Sequence, residues 1–405
     1  MRFDLHLQSL AREQFEAVTG KMKSWEVNER ITANEADRIR EAVNCFSHTT
    51  ERQDLRIAGV DASGDFPLLN YADSFIYLAV AQATVYGADR LNGLKEVAPK
   101  PDTIFHLSWM PENAEVGEQQ LELSFEQLAG LSLLEVIERS DYRQLKQLVA
   151  PRKQSVAQLL ESLIRPLASD TGNLAIQLRS TAEFGTALRL LNGERDINYL
   201  LVDTTFSLPL LPSMNSLFYE HLKRLCCVEA RTAGIGFFAL SKSHGLTAVE
   251  QLEALVKDVQ GLTGAEPAEH WCLRIPEQKR EGWELSLAEG RRLPPIGAVS
   301  YLVRFHRTTP MLRLDIDSVY WEQFVRGASE AETRSRERKI FEDLDYGCHD
   351  MRVYGYPYPI HAAHMKASLT NSERAAFRKQ VIAEAVKQGM RPILFRDPSK
   401  ATGHR

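Results

Sequence analysis

Three short segments carry the residue types that could do chemistry. Ile57-Ala58-Gly59-Val60-Asp61-Ala62-Ser63 and Leu200-Leu201-Val202-Asp203 are apolar runs that reach an aspartate. Tyr354-Gly355-Tyr356-Pro357-Tyr358-Pro359 is an aromatic-proline turn leading to Ala363-His364. A carboxylate at the end of a buried strand has a rigid backbone behind it and its tip toward solvent, which is how sheet folds present reactive groups. Glu183, on the helical-looking stretch before Asp203, adds a third acid. Magnesium and manganese take hard oxygen ligands, and carboxylates that bridge and flank two ions form the usual site for phosphodiester cleavage. His364 could ligate a metal or orient the attacking water, and Tyr356 could donate to a phosphate oxygen. The expectation is a metal-dependent nuclease.

Each residue also has a plainer explanation. Asp61 and Asp203 could organise their own turns through side-chain to backbone bonds. Glu183 could be a solvated helix acid, Tyr356 core filling, and His364 a surface histidine one turn from the competing His361. Lys242, flanked by Ser241 and Ser243 at another strand end, suits a phosphate contact but reads equally as a surface lysine. Asp315 and Asp317 alternate with Leu314 and Ile316 as on the polar face of an edge strand, and are reserve ligands. The basic clusters Arg152-Lys153, Arg334–Lys339 and Arg378-Lys379 are interleaved with acids and read as solvated helix faces. No G-x-x-x-x-G-K-[ST] loop, H-E-x-x-H, G-x-S-x-G or G-x-G-x-x-G occurs, so the chain itself should not hydrolyse ATP.

The elements that must position these groups follow from hydrophobic periodicity. Residues 5–45 read as helical. Strands are expected near 56–61, 75–86, 103–109, 199–203, 234–240, 298–306 and 311–316. Helices are expected over 119–168, 173–192 and 215–231, and over 361–387 as one long helix or two abutting ones. Ser329-Glu330-Ala331-Glu332 has capping-box spacing. Near-continuous apolar strands followed by helices predict an α/β fold with a mixed central sheet flanked by helices. The expected organisation is an N-terminal helical segment over 1–50 and one domain over 51–395, with a helical insertion at about 110–170. With 44% hydrophobic residues in 405, a sizeable core is available. A net charge of −5 argues against a generally basic nucleic-acid coat protein but leaves room for a local basic groove. Five scattered cysteines without C-x-x-C spacing indicate neither a disulfide framework nor a cysteine zinc site. No apolar run approaches the ~18 residues of a membrane span, and a cytoplasmic protein is expected.

Taken together, these residues resemble the NurA family of nucleases. The family shares an Asp after a first apolar strand, a second strand ending in Asp-Gly-Ser-Leu, a lysine-serine strand end, and a late Gly-Tyr-Pro followed by Ala-His. Here the matches are Val60-Asp61-Ala62-Ser63, Leu201-Val202-Asp203, Ser241-Lys242-Ser243, Gly355-Tyr356-Pro357 and Ala363-His364, in the same order. One departure is Thr204-Thr205-Phe206-Ser207-Leu208 where the family has Gly-Ser-Leu, and the 110–170 region is longer. The resemblance implies an RNase H-like core in which Asp61, Glu183, Asp203 and His364 hold Mn2+ or Mg2+. It further implies 5′-to-3′ exonuclease action on duplex ends, endonuclease action on single-stranded DNA, a homodimer, and a HerA-type hexameric ATPase partner. An inactive DNA-end adaptor for that ATPase, or an RNase H-like enzyme acting on RNA, are the alternatives.

Overall fold

The computed structural model describes residues 5–24, 31, 33–48, 52–64, 67–89, 93–97, 101–142, 144, 171–193, 196–206, 217–242, 249–263, 270–275, 297–306 and 309–398. Two compact units are present. The smaller contains the helices Leu5–Ser24 (α1), Ala33–Ala42 (α2) and Val249–Thr263 (α7), with the Ile31 N–H donating to the Gln251 side chain (2.9 Å).

The larger unit is built on a mixed sheet. Its centre is an antiparallel meander of β2 (Arg56–Ser63), β4 (Ser74–Asp89) and β6 (Ile104–Pro111), continued on the other side of β2 by β7 (Tyr199–Val202) and β8 (Gly236–Ser241), both parallel to β2. Helix α5 (Thr171–Gly193) precedes β7 and helix α6 (Leu217–Ala233) precedes β8. Three antiparallel strands followed by two parallel ones, in the spatial order β6-β4-β2-β7-β8, constitute an RNase H-like core. The sixteen-residue β4 also pairs with β3 (Pro67–Tyr71) and β5 (Gly93–Glu96). Beyond β8 the sheet continues antiparallel through β11 (Leu312–Asp317), β10 (Ala298–Arg304), β9 (Trp271–Arg274) and β1 (Val43–Cys45). The helical reading of 5–45 therefore ends at residue 42, because Val43–Cys45 finds a partner strand in β9.

The two faces of the sheet are covered differently. Ala58, Val60, Leu200 and Val202 point into a core formed with α3 (Ala114–Ala129), α4 (Leu133–Arg139), α5 and α6. Ile57, Tyr199, Leu201 and Phe238 point the other way, against α8 (Glu330–Cys348) and α9 (Tyr358–Ala367). The part of the expected 119–168 helix beyond residue 144 lies outside the described residues. The C-terminal helical stretch is two helices, α9 and α10 (Asn371–Lys387), because Thr370 caps the second through a reciprocal pair with Glu373. At Ser329 only half of the expected box forms. Its hydroxyl accepts the Glu332 N–H, but the Glu332 carboxylate accepts from the Ala328 N–H instead. All five cysteines are free, and among the described residues no helix is long and apolar enough to cross a membrane.

Candidate metal centre at the strand ends

Strand alternation determines where the acids go. Asp61 shares the face of Ile57, and Asp203, just past β7, follows the parity of Tyr199 and Leu201. The parallel register pairs Val60 with Val202, so the two aspartates fall side by side as the strands end. Helix α9 lies directly on this face. A Cβ at Gly59 would collide with the backbone of Pro359 and Ile360, so only glycine allows the helix start to seat there. The Thr84 hydroxyl, on the neighbouring β4, donates to the Pro359 carbonyl (2.8 Å) and fixes the same contact. One turn further along α9, His364 reaches over the end of β2, and its Nδ1 lies 2.6 Å from Asp61 Oδ2. Its Nε2 meets the Ser368 hydroxyl (3.3 Å). Gly355, with φ +73, turns the chain ahead of α9 above Thr309 and brings in the neighbouring Tyr356.

Glu183 comes from the opposite face, on α5, which packs across β4 and β2 and not beside β7 as the sequence suggested. It is 6% exposed, and its Oε1 makes no hydrogen bond. Burial pushes its carboxyl well above the usual range, and the charges of Asp61 and Asp203 push in the same direction against Arg179 and Lys223. Asp61 is raised too, by burial first and by Asp203, while the His364 hydrogen bond opposes the shift. Burial, then Asp203, then Asp61 drive the Tyr356 phenol far upward, and its hydroxyl has no well-aligned hydrogen-bond partner. Lys242 closes the outer side, with Nζ 3.7 Å from Asp203 Oδ2 and 4.6 Å above the Tyr356 ring centre. His364 thus contacts Asp61, Lys242 contacts Asp203 and Tyr356, and Glu183 couples to both aspartates electrostatically from the opposite face.

Comparison with solved structures finds the following similarities. The chain is similar to the NurA nuclease from Sulfolobus solfataricus at 13% identity, covering 96% of this chain and 98% of that one, with a TM-score of 0.46. It is similar to a NurA structure bound to dAMP and manganese at 13% identity, covering 96% and 100%, with a TM-score of 0.36. Endonuclease V of Ciona intestinalis in complex with an inosine-containing DNA follows at 11% identity, covering 86% and 95%, with a TM-score of 0.30. No protein-family model and no curated protein sequence matches the chain.

Three further residues position the site. Asp315 accepts the Phe206 N–H (3.1 Å), and Lys223 donates to the Thr205 carbonyl (3.1 Å), which together pin the segment after Asp203. Thr84 holds the start of α9. The edge-strand reading of Asp315 and Asp317 is corrected, since β11 runs between β10 and β8 and both acids are buried. Asp315 is bound by Ser300 (2.6 Å) and Arg313 (2.9 Å), and Asp317 by Arg224 (2.5 Å) and Arg231 (3.1 Å). They are structural partners of arginine, not spare ligands. His361 is not in the Asp61 contact; it lies against Tyr358, with ring centres 6.2 Å apart.

The carboxylate set suits a hard divalent cation. A buried acid with an unbonded oxygen, beside two further acids, is costly to keep ionised unless a cation compensates it. Asp61, Glu183 and Asp203 would hold Mn2+ or Mg2+, with His364 bound to Asp61 at the rim. Among the described residues, though, a tighter grouping of metal-type donors lies elsewhere, at His48, Asp345 and His349.

Proposed function

We propose that the chain is a metal-dependent deoxyribonuclease that uses Mn2+ or Mg2+ at Asp61, Glu183, Asp203 and His364. The observation carrying this reading is the buried Glu183 carboxylate with an unbonded oxygen, electrostatically coupled to two strand-end aspartates on an RNase H-like sheet. When bound, the cation supplies Lewis-acid stabilisation of phosphate charge and acidifies water. The protein's own groups do the remainder. Asp61, Asp203 and Glu183 would hold the cation. Asp61 fixes the His364 ring, which would either hold the cation or orient the attacking water. The Tyr356 hydroxyl is held protonated by its neighbours, so it donates to a phosphate oxygen. Lys242, 66% exposed on its side chain, contributes a mobile positive charge to the incoming phosphate backbone.

The finer reading is 5′-to-3′ exonuclease action on duplex ends and endonuclease action on single strands in the cytoplasm. A homodimer would act with a HerA-type hexameric ATPase in DNA end processing or defence against foreign DNA. It rests on the sequence resemblance and on the lack of a phosphate loop in this chain. The test is cleavage of end-labelled single- and double-stranded DNA in manganese by the purified chain, alone and with the ATPase. Cleavage removed by EDTA and by Asp61→Ala supports the assignment. Cleavage by Asp61→Ala and Asp203→Ala at the wild-type rate would sink it.

A further inference from the structure

A second gathering of metal-type side chains sits where β1, β9 and β10 come together with the end of α8. His48 lies three residues past β1, His270 immediately precedes β9, His306 follows β10, and Asp345 and His349 are four apart at the end of α8. The antiparallel pairs Cys45–Trp271 and Arg304–Trp271 bring the three strand ends together, so these residues converge although the sequence scatters them.

Asp345 is the hub and is wholly buried. His48 Nδ1 is 2.7 Å from its Oδ2, while His270 Nδ1 and His349 Nδ1 are 2.9 and 3.2 Å from its Oδ1. Ring centres of His48 and His349 are 3.9 Å apart, and those of His270 and His349 5.1 Å. Despite these distances, neither Asp345 Oδ1 nor His270 Nδ1 is aligned for a hydrogen bond. His48 Nδ1 and Asp345 Oδ2 form a hydrogen bond, and His349 Nδ1 meets the Asp345 main-chain carbonyl (2.9 Å), which leaves the buried Oδ1 without an aligned partner. A cation beside the carboxylate would satisfy it. With bonds of about 2.0 Å to nitrogen and oxygen, the ligand atoms of a tetrahedral zinc lie about 3.3 Å apart. The carboxylate–imidazole distances here, 2.7 to 3.2 Å, fall just inside that edge. The donor atoms of His48, Asp345 and His349 all lie within 4.8 Å of one another.

The donor set also selects the ion. Imidazole-rich sites favour zinc and its borderline neighbours, whereas carboxylate and water sites favour magnesium and manganese.

We propose that His48, Asp345 and His349 form a second metal centre, a zinc site of two imidazoles and one carboxylate that ties the end of β1 to the end of α8, with His270 held against the carboxylate beside it. It is separate from the strand-end acids and stands whether or not those cleave DNA. The ion's role here is structural, because its ligands come from two elements that β pairing does not join.

The test uses the full chain loaded with Zn2+ and dialysed, with zinc measured by elemental analysis and Co2+ substitution read by visible absorbance. One equivalent should remain in the wild type and in Asp61→Asn, with a tetrahedral cobalt spectrum. His349→Ala should bind at least about tenfold more weakly and lose the spectrum. His48→Gln, on a partly exposed loop side chain, gives the same readout should that variant misfold. Zinc should raise the melting temperature of the wild type but not of the histidine variants. A wild type that retains no zinc, or histidine variants that retain a full equivalent, would overturn the site and leave a hydrogen-bonded carboxylate hub.

Discussion

Glu183→Gln tests the electrostatics of the strand-end site without changing its shape. In the folded chain Glu183 keeps its proton to higher pH than a free glutamate, through burial first and then the charges of Asp61 and Asp203. Above the ordinary glutamate range the folded state therefore binds more protons than the unfolded one. Stability must then fall as pH rises through that window, by about 1.4 kcal/mol for every tenfold gain in proton affinity. Glutamine cannot ionise, so the variant should melt no lower than wild type in EDTA at alkaline pH. Its melting temperature should also fall less between about pH 5.5 and pH 8, with the raised Asp61 leaving a residual slope. Manganese reverses the comparison. At a hundredfold excess over its dissociation constant, a cation that binds only the folded state stabilises it by about 2.7 kcal/mol. For 405 residues at ~2.1 cal/mol/K each, that is a shift of about 3 °C. The wild type should show this shift and the variant should lose most of it. Two results would refute the reasoning. One is a variant several degrees less stable in EDTA, which would make Glu183 an ion-pair partner of Arg179 or Lys223. The other is an unchanged manganese shift.

His364→Ala removes a side chain that is 63% exposed, so folding should change by less than about 1 kcal/mol while single-turnover cleavage falls ~10²–10⁴-fold. A wild-type rate would take His364 out of the mechanism. Lys242→Ala should weaken DNA binding evenly across sequences and reduce the salt slope of binding by about one, read from titrations over a range of salt. In Gly59→Ala the new Cβ meets the Pro359 backbone, so melts should show a loss of about 1–3 kcal/mol or more, together with lost activity as α9 lifts His364 from Asp61. Arg224→Met leaves the buried Asp141 and Asp317 with Arg231 as their one remaining shared guanidinium and should cost about 3–5 kcal/mol in denaturant unfolding, with an unchanged melt refuting the network's role.

The central strands and the helices between them were legible because their signal is local: apolar runs for β2, β4, β7 and β8, and a 3.6-residue period for α5 and α6. The site residues were legible because strand ends and a glycine-tyrosine-proline turn mark themselves in sequence. What escaped depends on pairing between distant segments. Val43–Cys45 has a helical flank and becomes a strand only because Trp271–Arg274 lies beside it. Asp315 alternates with leucine and isoleucine on β11 whether that strand is at an edge or inside the sheet. Only the neighbours β8 and β10 decide, and they bury it. The histidine hub was hidden for the same reason, since its members come from three separate elements and only the Asp345–His349 spacing is local.

The contrast between two kinds of strand-end aspartate separates structure from chemistry in this sheet. Asp315 and Asp317 are as buried as any residue in the core, and each meets an arginine at hydrogen-bond distance. Their charge is cancelled within the protein, and nothing outside it is required. Asp61 and Asp203 lie near strand ends, yet the basic side chains beside them are His364 and Lys242, both more than half exposed. Behind them Glu183 is buried with an unbonded oxygen. Exposure rises outward through these acids, from 6% at Glu183 to 14% for the side chain of Asp61 and 36% for that of Asp203. A gradient of this kind leaves an acid that is costly to ionise at the inner end and one open to solvent at the outer end. The self-repulsion it stores destabilises the fold by itself. Such an arrangement persists only where a ligand's binding energy offsets the cost. A small divalent cation entering from the Asp203 side would offset it, and an arginine in its place would close the site.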